Sequence, residues 1–205
     1  MNKKSMISVA LDPPNIVSLV GLLCAVTAIY AAILGAFSLA IVATLWAVVF
    51  DWADGIVARS MKNRSDGQKT LGANLDSLID IVSFGVVPGV FLLAYGDFSV
   101  WFLPGAFLLV AVAAIRLSYF NVFGLVDSHT YQGLALDNNI VVLAFLFLSE
   151  RFFDHSVFSV ILYAVLMILA VFNLAPVQTP KFSGKWFYAL VILTILFSIF
   201  YGLDL

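Results

Sequence analysis

Charged residues are scarce in this chain. Only 11% of its 205 residues are Asp, Glu, Lys or Arg, whereas 63% are hydrophobic and the mean hydropathy is +1.08. A soluble domain is about half apolar and about a quarter charged. The scarcity of charge therefore argues against an ordinary soluble domain and indicates a protein that spans a membrane.

Cysteine and clusters of basic residues are also nearly absent. Cys24 is the single cysteine, which excludes an internal disulfide and a thiolate metal site, and we expect it to serve in packing. The net charge is −2, and no group of Lys and Arg is large enough to suggest a nucleic-acid-binding patch. The expected partner of the surface is therefore the bilayer, and not nucleic acid.

Apolar runs separated by short polar loops predict an all-α integral membrane protein that forms a single domain over residues 1–205. We expect a bundle of about seven transmembrane helices, although six or eight are compatible with the pattern. A span needs roughly 20 residues. The fifth run is short, and Gly133–Ala135 are expected to extend it. The predicted spans are Asn15–Leu34, Phe37–Ala58, Leu71–Ala94, Val100–Val122, Asn138–Leu148, Val157–Phe172 and Trp186–Tyr201.

The distribution of Lys and Arg predicts the orientation in the membrane. In a seven-span arrangement only Arg151 falls clearly on one side. The positive-inside rule then places the opposite side in the cytoplasm, and this side includes the N-terminus and the loop from Arg59 to Gly72. We expect the membrane to be the inner or cell membrane. We expect the loop side chains to be solvated. The residues on the cytoplasmic side are Lys3, Lys4, Lys62, Arg64, Lys69, Lys181 and Lys185.

Four aspartates lie at the ends of the second and third predicted spans. Asp51 and Asp54 are three residues apart and Asp76 and Asp80 are four apart, so each pair shares one helical face. An ionised carboxylate in a membrane helix costs roughly 2.5–3.5 kcal/mol. The two helices are consecutive and antiparallel, so we expect one cluster near the cytoplasmic face.

The oxygen ligands of such a cluster suit Mg²⁺, Mn²⁺ or Ca²⁺, and a site with two such ions suits a displacement reaction at phosphorus.

The spacing around these aspartates resembles a known signature. The chain reads Asp-x-x-Asp-Gly-x-x-Ala-Arg over residues 51–59 and Gly-x-x-x-Asp-x-x-x-Asp over residues 72–80. This pattern is similar to that of the CDP-alcohol phosphatidyltransferases, and all eight fixed positions are present. The resemblance covers Asn15 to roughly Leu134.

Three further segments resemble the phosphatidylserine synthase branch of that family. They are the run from Asp76 to Pro88, Arg-Leu-Ser-Tyr-Phe-Asn at 116–121, and Tyr-Gln-Gly-Leu at 131–134. Two features differ from the branch. Twelve residues separate Arg59 from Gly72, where eight are usual, and the chain continues with Ala-Leu-Asp-Asn-Asn after Leu134 in place of a Pro-rich segment.

The resemblance implies a metal-dependent transferase. A CDP-linked lipid, either CDP-diacylglycerol or an ether analogue, would donate a phosphatidyl group to the hydroxyl of a small alcohol and release CMP. Two divalent cations, Mg²⁺ or Mn²⁺, and a homodimer are also implied. The residues carried over are Asp51, Asp54, Asp76 and Asp80 as metal ligands, Asp80 also as the general base, and Gly55, Ala58, Arg59 and Gly72 as nucleotide and diphosphate contacts. Asn15 is either a helix cap or a further nucleotide contact.

The acceptor is expected to be L-serine, with glycerol 3-phosphate, inositol and inositol phosphate as alternatives. Arg116 is the one Arg in the central part of the chain and suits the carboxylate of serine. Asn121 and Asn138 are candidate hydrogen-bonding partners, and Asp137 is a candidate counter-charge for an amine. Alternatively, Arg116 is a structural partner of Asp137 or Glu150.

Two other classes of membrane protein use carboxylates within helices. In an ion or proton transporter they relay charge, but a relay has no need of Gly55, Ala58 and Arg59 at fixed offsets. Membrane prenyltransferases bind diphosphate through two Asp-rich helices whose motifs lie far apart in sequence. Here both motifs fall within thirty residues, from Asp51 to Asp80.

Overall fold

A computed structural model describes residues 5–127, 130–180, 182 and 184–202 of the chain. Three of the lysines used for the predicted orientation, Lys3, Lys4 and Lys181, lie outside the described residues. The described part is almost entirely helical. Its elements are α1 Met6–Ala10, α2 Pro13–Ile33, α3 Phe37–Ser60, α4 Asp66–Asp80, a π-helical segment Ile81–Val86, α5 Val87–Tyr95, a 3₁₀ turn Val100–Phe102, α6 Leu103–Phe123, β1 Thr130–Gln132, α7 Leu136–Phe147, a 3₁₀ turn Glu150–Phe152, α8 His155–Leu174, β2 Gln178–Pro180 and α9 Lys185–Gly202.

Six helices of the described chain are long and apolar enough to cross a membrane, which confirms an all-α integral membrane protein. They are α2, α3, the continuous Asp66–Tyr95 helix, the Val100–Phe123 helix, α8 and α9. The fifth predicted span is the 12-residue helix α7. At 1.5 Å per residue it is about 18 Å long, shorter than a hydrocarbon core of about 30 Å. Gly133–Ala135 do not extend it, because Ala135 has an extended backbone at the N-cap.

The third predicted span begins earlier than expected. We predicted a start at about Leu71, but α4 begins at Asp66. Ser65 and Gln68 form a capping box, in which each side chain bonds the backbone N–H of the other, with a Gln68 Oε1 to Ser65 N distance of 2.9 Å. The long segment after Arg59 is therefore mostly helix, and its irregular part is short.

Small residues allow α2 and α3 to pack closely. Ala25 and Ala28 of α2 face Ala43 and Ala47 of α3, and all four are buried. Between membrane helices, small side chains favour association because they let the backbones approach. This close pair brings the start of α2 beside the end of α3, where the first two aspartates lie.

An aromatic cluster joins the helix ends that lie farthest from the aspartates. Tyr95, at the end of α5, is fully buried and packs against Phe147 and Phe158 with ring centroids 5.8 and 5.3 Å apart. Its hydroxyl donates a 2.9 Å hydrogen bond to Glu150. Helix α7 therefore runs from the level of the aspartates to this aromatic end of the bundle.

The opposite end carries a small antiparallel sheet. Strand β1 pairs with β2, with Tyr131 opposite Thr179. The turn after β1 requires glycine, because Gly133 has φ +74° and a Cβ there would lie 2.2 Å from the Asn173 carbonyl oxygen. The sheet thus lies against the end of α8, and Tyr131 and Pro180 form part of the wall of the cavity described next.

Candidate active site

Three carboxylates from two helices converge at one end of the bundle. Oxygens of Asp51, Asp76 and Asp80 all lie within 4.8 Å of one another. We refer to these three residues as the acidic cluster. They line a cavity of about 210 Å³, the site cavity, which also contains Asp54 and Arg116 in its wall. The predicted meeting of the two aspartate pairs is therefore observed, although Asp54 is offset from the other three.

Asp54 is fixed by a neighbouring helix. It is buried, and its carboxylate accepts a hydrogen bond from the hydroxyl of Ser18 on α2. Sequence reasoning missed Ser18, because a contact across 36 residues leaves no local pattern. The bond therefore ties a residue of the cavity wall to α2.

The acidic cluster suits a hard cation. Its donors are all carboxylate oxygens, the ligand type that Mg²⁺, Mn²⁺ and Ca²⁺ prefer. Oδ1 of Asp80 is buried and has no hydrogen-bond partner among the described residues. A buried acceptor without a donor is unfavourable, so a cation ligated there would satisfy it. Asp51, Asp76 and Asp80, with Asp54 beside them, are the residues that could bind metal.

Asp80 ends α4, and the π-helical segment begins immediately after it. Such segments are rare and often occur at functional sites. Gly85 within it packs tightly on α6, since a Cβ at Gly85 would lie 2.9 Å from the Cβ of Ala113. This close approach brings α6, with Arg116 one turn beyond Ala113, to the same cavity as Asp80.

The predicted nucleotide-binding residues divide into two groups. Gly55 and Arg59 line the site cavity. The exposed Arg59 lies back over Gly55, because a Cβ at that glycine would be 3.2 Å from Nη1 of Arg59. Ala58 and Gly72 lie on the same two helices, α3 and α4, but neither belongs to the described wall of the cavity.

Gly72 is covered by two polar side chains. A Cβ at Gly72 would lie 2.7 Å from Nη2 of Arg64 and 3.0 Å from Oδ1 of Asn15. The Asn15 side chain donates a 3.1 Å hydrogen bond to the carbonyl of Ala10 and does not cap α2, whose N-cap is Asp12. The capping alternative for Asn15 is therefore wrong.

Arg64 is not the solvated loop residue that we predicted. Lys62 and Lys69 are exposed as expected, but the Arg64 side chain is only 8% exposed. It forms an ion pair with the buried Asp12 and donates to the Gln68 carbonyl at 3.2 Å. The pair joins the start of α2 to the start of α4 beside Gly72.

The predicted acceptor-binding residues are also divided. Arg116 is 8% exposed and lies over the ring of Tyr131, with 5.5 Å from the guanidinium carbon to the ring centroid. Asn138 lines the same cavity. Asn121 does not belong to the described cavity wall, because it is exposed and donates a 3.0 Å hydrogen bond to Ser77.

Two aromatic residues complete the Arg116 side of the cavity. Burial, and secondarily the nearby Asp137 carboxylate, raises the pKa of Tyr131 to about 12, so its phenol is neutral at ordinary pH. Trp52 donates a 2.8 Å hydrogen bond from its indole to Asp137. Sequence reasoning did not identify Trp52 as part of the site, although it lies between Asp51 and Asp54. The alternative of Arg116 as a structural ion-pair partner of Glu150 or Asp137 is not observed, because neither pair lies within 4.0 Å in the part of the chain that the structure describes.

Fold and site together define a polytopic membrane protein with a carboxylate-rich cavity at one end of its helix bundle. The family profile of the CDP-alcohol phosphatidyltransferases matches residues 11–199. The chain therefore belongs to the CDP-alcohol phosphatidyltransferase family. It is a membrane-embedded transferase of phospholipid biosynthesis.

Several curated proteins resemble the chain, and the first two described here do so over most of its length. A CDP-diacylglycerol–serine O-phosphatidyltransferase from Methanocaldococcus jannaschii is 32% identical over 164 residues, which cover 79% of this chain and 72% of that protein. An archaetidylserine synthase from Methanothermobacter thermautotrophicus is 30% identical over 187 residues, covering 90% of this chain and 76% of that protein. A CDP-diacylglycerol–serine O-phosphatidyltransferase from Saccharomyces cerevisiae is 44% identical over 81 residues, covering 38% and 27%.

Proposed function

We propose that this enzyme transfers the phosphatidyl group of a CDP-linked lipid to L-serine and releases CMP. The observation that carries the choice of serine is the buried Arg116, which lines the same cavity as Asp80. A guanidinium suits the serine carboxylate, whereas a phosphorylated acceptor would favour more than one cation. The names of the archaeal relatives, a serine phosphatidyltransferase and an archaetidylserine synthase, support the same acceptor.

In the proposed reaction, Asp80 is the general base. Its carboxylate takes the proton of the serine hydroxyl as that oxygen bonds to the β-phosphorus of the CDP-lipid. The bond from this phosphorus to the oxygen that bridges the two phosphates breaks, and CMP leaves with the bridging oxygen. Oδ1 of Asp80 supports this role, because no hydrogen-bond donor in the described part of the chain contacts it.

The remaining signature residues would bind the donor. We propose two divalent cations, Mg²⁺ or Mn²⁺, with Asp51, Asp54, Asp76 and Asp80 as their ligands. When bound, such ions neutralise diphosphate charge and polarise the phosphoryl oxygens. Gly55 and Arg59, on the cavity wall, are proposed to contact the diphosphate. Gly72 and Asn15, which lie beside Arg64, are proposed to contact the nucleotide, as is Ala58 on α3.

We further propose that the site faces the cytoplasm of the cell membrane and that the enzyme is a homodimer. Lys62, Lys69 and Lys185 lie at the same end of the bundle as the acidic cluster, whereas Arg151 lies near the aromatic end. This distribution supports a cytoplasmic site by the positive-inside rule. The dimer is proposed from the family resemblance, and light scattering in detergent would test it.

The acceptor is tested by offering purified enzyme a CDP-lipid and Mn²⁺ with one alcohol at a time. L-Serine, glycerol 3-phosphate, inositol and inositol phosphate are compared by CMP release. We expect release with serine far above that with the other three. Robust release with glycerol 3-phosphate and none with serine would refute the choice of acceptor and leave the family assignment intact.

Metal removal gives a second expected result. Four clustered carboxylates and a diphosphate repel one another without a cation, so EDTA should abolish CMP release. Addition of excess Mg²⁺ or Mn²⁺ should restore it. Full activity in EDTA after extensive dialysis against chelator would contradict the proposed metal requirement.

A further inference from the structure

Arg116 and Asp137 carry opposite charges in the wall of the same cavity. They lie close enough to attract one another electrostatically. No ion pair joins them within 4.0 Å in the described part of the chain, where the pairs found are Arg64–Asp12, Lys69–Asp66 and His155–Asp97. Opposite buried charges normally pair directly. Because both side chains line one cavity without a direct ion pair, the cavity suits a ligand that carries both charges itself.

Arg116 has unused capacity to bind an anion. Its Nε is buried and has no hydrogen-bond partner among the described residues. The Tyr131 ring lies against the guanidinium and stabilises the cation. Arginine presents five N–H donors in a fixed fork, which matches a carboxylate bidentately. The site thus offers a ready contact for one carboxylate.

Asp137 is held by hydrogen bonds, and no Lys, Arg or His that the structure describes forms an ion pair with it. Its Oδ2 accepts the 2.8 Å hydrogen bond from Trp52, and its carboxylate also accepts from backbone N–H groups in the first turn of α7. The helix N-terminus favours a negative charge at that position. A carboxylate has about four acceptor positions, so one further donor can be accommodated. Trp52 belongs to the Asp51–Asp54 segment, so it joins this carboxylate to the catalytic end of α3.

We propose that Asp137, oriented by Trp52, binds the α-ammonium group of the acceptor while Arg116 binds its α-carboxylate. This inference rests on the proposed function and names the feature that selects the substrate. The enzyme would then recognise a zwitterionic hydroxy amino acid by its two charges, with the hydroxyl directed to Asp80. Alcohols with one charge, or with only negative charge, leave either Arg116 or Asp137 unpaired in the cavity and bind poorly.

The test compares acceptors that each lack one charged group. L-Serine has both groups, 3-hydroxypropionate lacks the ammonium, and ethanolamine lacks the carboxylate. Asp137→Asn should raise the KM for serine roughly 10- to 100-fold, which corresponds to one lost charge-assisted hydrogen bond, while kcat changes little. The KM for 3-hydroxypropionate should stay within twofold or fall. The asparagine can still accept the hydrogen bond from Trp52, so the substitution removes the negative charge and keeps the side-chain shape.

Arg116→Gln should affect the acceptor that carries a carboxylate. It should raise the KM for serine by a similar factor and leave the KM for ethanolamine within twofold of the wild-type value. The matched control is Asp66→Asn, which makes the same chemical change in the first turn of another helix, α4, at a fully exposed side chain. Its KM for serine should stay within twofold of wild type.

The outcomes separate this inference from the proposed function. Serine use by the wild type, with an unchanged serine KM in Asp137→Asn, would overturn the role of Asp137 and leave the proposed function intact. An equal rise in KM for all three acceptors would also overturn it, because that pattern marks a structural role. No serine use by the wild type would overturn both. If Asp137→Asn does not fold, Trp52→Phe replaces it in the test. A rise in KM for serine that exceeds the rise for 3-hydroxypropionate supports the inference, and an equal change for both acceptors overturns it.

Discussion

Asp80 occupies the point where a regular helix changes to a π-helical segment. Its side chain belongs to the acidic cluster, and one of its oxygens has no hydrogen-bond donor within the described ranges of the chain. Each ionised carboxylate in a membrane helix costs roughly 2.5–3.5 kcal/mol, so a group left partly unsatisfied needs a compensating ligand. The proposed divalent cation, and the serine hydroxyl that loses its proton in the proposed reaction, would provide that compensation.

Replacement of Asp80 by asparagine should therefore separate binding from turnover. We expect kcat to fall by about 10²- to 10⁴-fold, the range typical of a lost general base, while the KM for the CDP-lipid changes little. CMP release at saturating serine measures the first quantity, and a CDP-lipid titration the second. Asp66→Asn on the same helix is the control and should keep wild-type turnover. Near-normal turnover in Asp80→Asn would place the base elsewhere, with Asp76 as the next candidate.

The convergence of the acidic cluster was predictable from the sequence, because the spacing of its residues is local. Asp51, Asp76 and Asp80 follow helical intervals within one signature, and the structure brings them together. Ser18 and Trp52 were missed as site residues, because their partners lie 36 and 85 positions away. No local pattern marks such contacts. The nucleotide-binding roles of Gly55 and Arg59 stay predictions.

At the scale of elements, the segment between α3 and α4 connects three parts of the molecule. Arg64 at its end forms the ion pair with Asp12 before α2 and also contacts the backbone of α4 at Gln68. Both charged side chains are nearly inaccessible, at 8% and 2% exposed. The pair therefore fixes how the beginning of α4 lies against the beginning of α2, beside the proposed nucleotide contacts.

Loss of Arg64 should destabilise the protein markedly. Arg64→Ala leaves the Asp12 carboxylate buried without its partner, which typically costs about 3–5 kcal/mol. We expect a clearly lower Tm in detergent and a higher KM for the CDP-lipid. Lys62→Ala, an exposed change two residues away, should alter neither. Combining Arg64→Gln with Asp12→Asn should recover part of the Tm, because no unpaired charge then remains. An unchanged Tm in Arg64→Ala would show that the pair contributes little.

The elements themselves were predicted unevenly. Long apolar runs gave six helices close to their predicted positions, because length and hydropathy suffice for a span. The start of α4 was misplaced, although Ser65-x-x-Gln68 is a recognisable capping box. The π-helical segment at Ile81–Val86 has no such local marker. Its packing on α6 through Gly85 is a tertiary effect, and it could be found only from the structure.

For the whole molecule, the two ends of the bundle differ in character. One end carries the acidic cluster, the site cavity and exposed lysines such as Lys62 and Lys69. The other is closed by the aromatic cluster around Tyr95 and Phe147. A water-soluble donor headgroup and acceptor must reach the first end, and the lysines there favour the cytoplasmic side. The orientation of the bundle therefore determines from which side of the membrane the site cavity receives its substrates.

Single-cysteine labelling would test this orientation, and the chain is suited to it because Cys24 is its one cysteine. In a Cys24→Ala background, Lys62→Cys lies at the site end and Asp154→Cys at the aromatic end, and both positions are exposed. A membrane-impermeant maleimide should label Lys62→Cys only in inverted vesicles and Asp154→Cys only in right-side-out vesicles. The unmodified chain should remain unlabelled in both, since Cys24 lies within the span α2. The reverse pattern would place the site cavity outside the cell. Labelling of both positions from one side would contradict the three passages along the bundle between them, which are Asp66–Tyr95, Val100–Phe123 and the shorter α7.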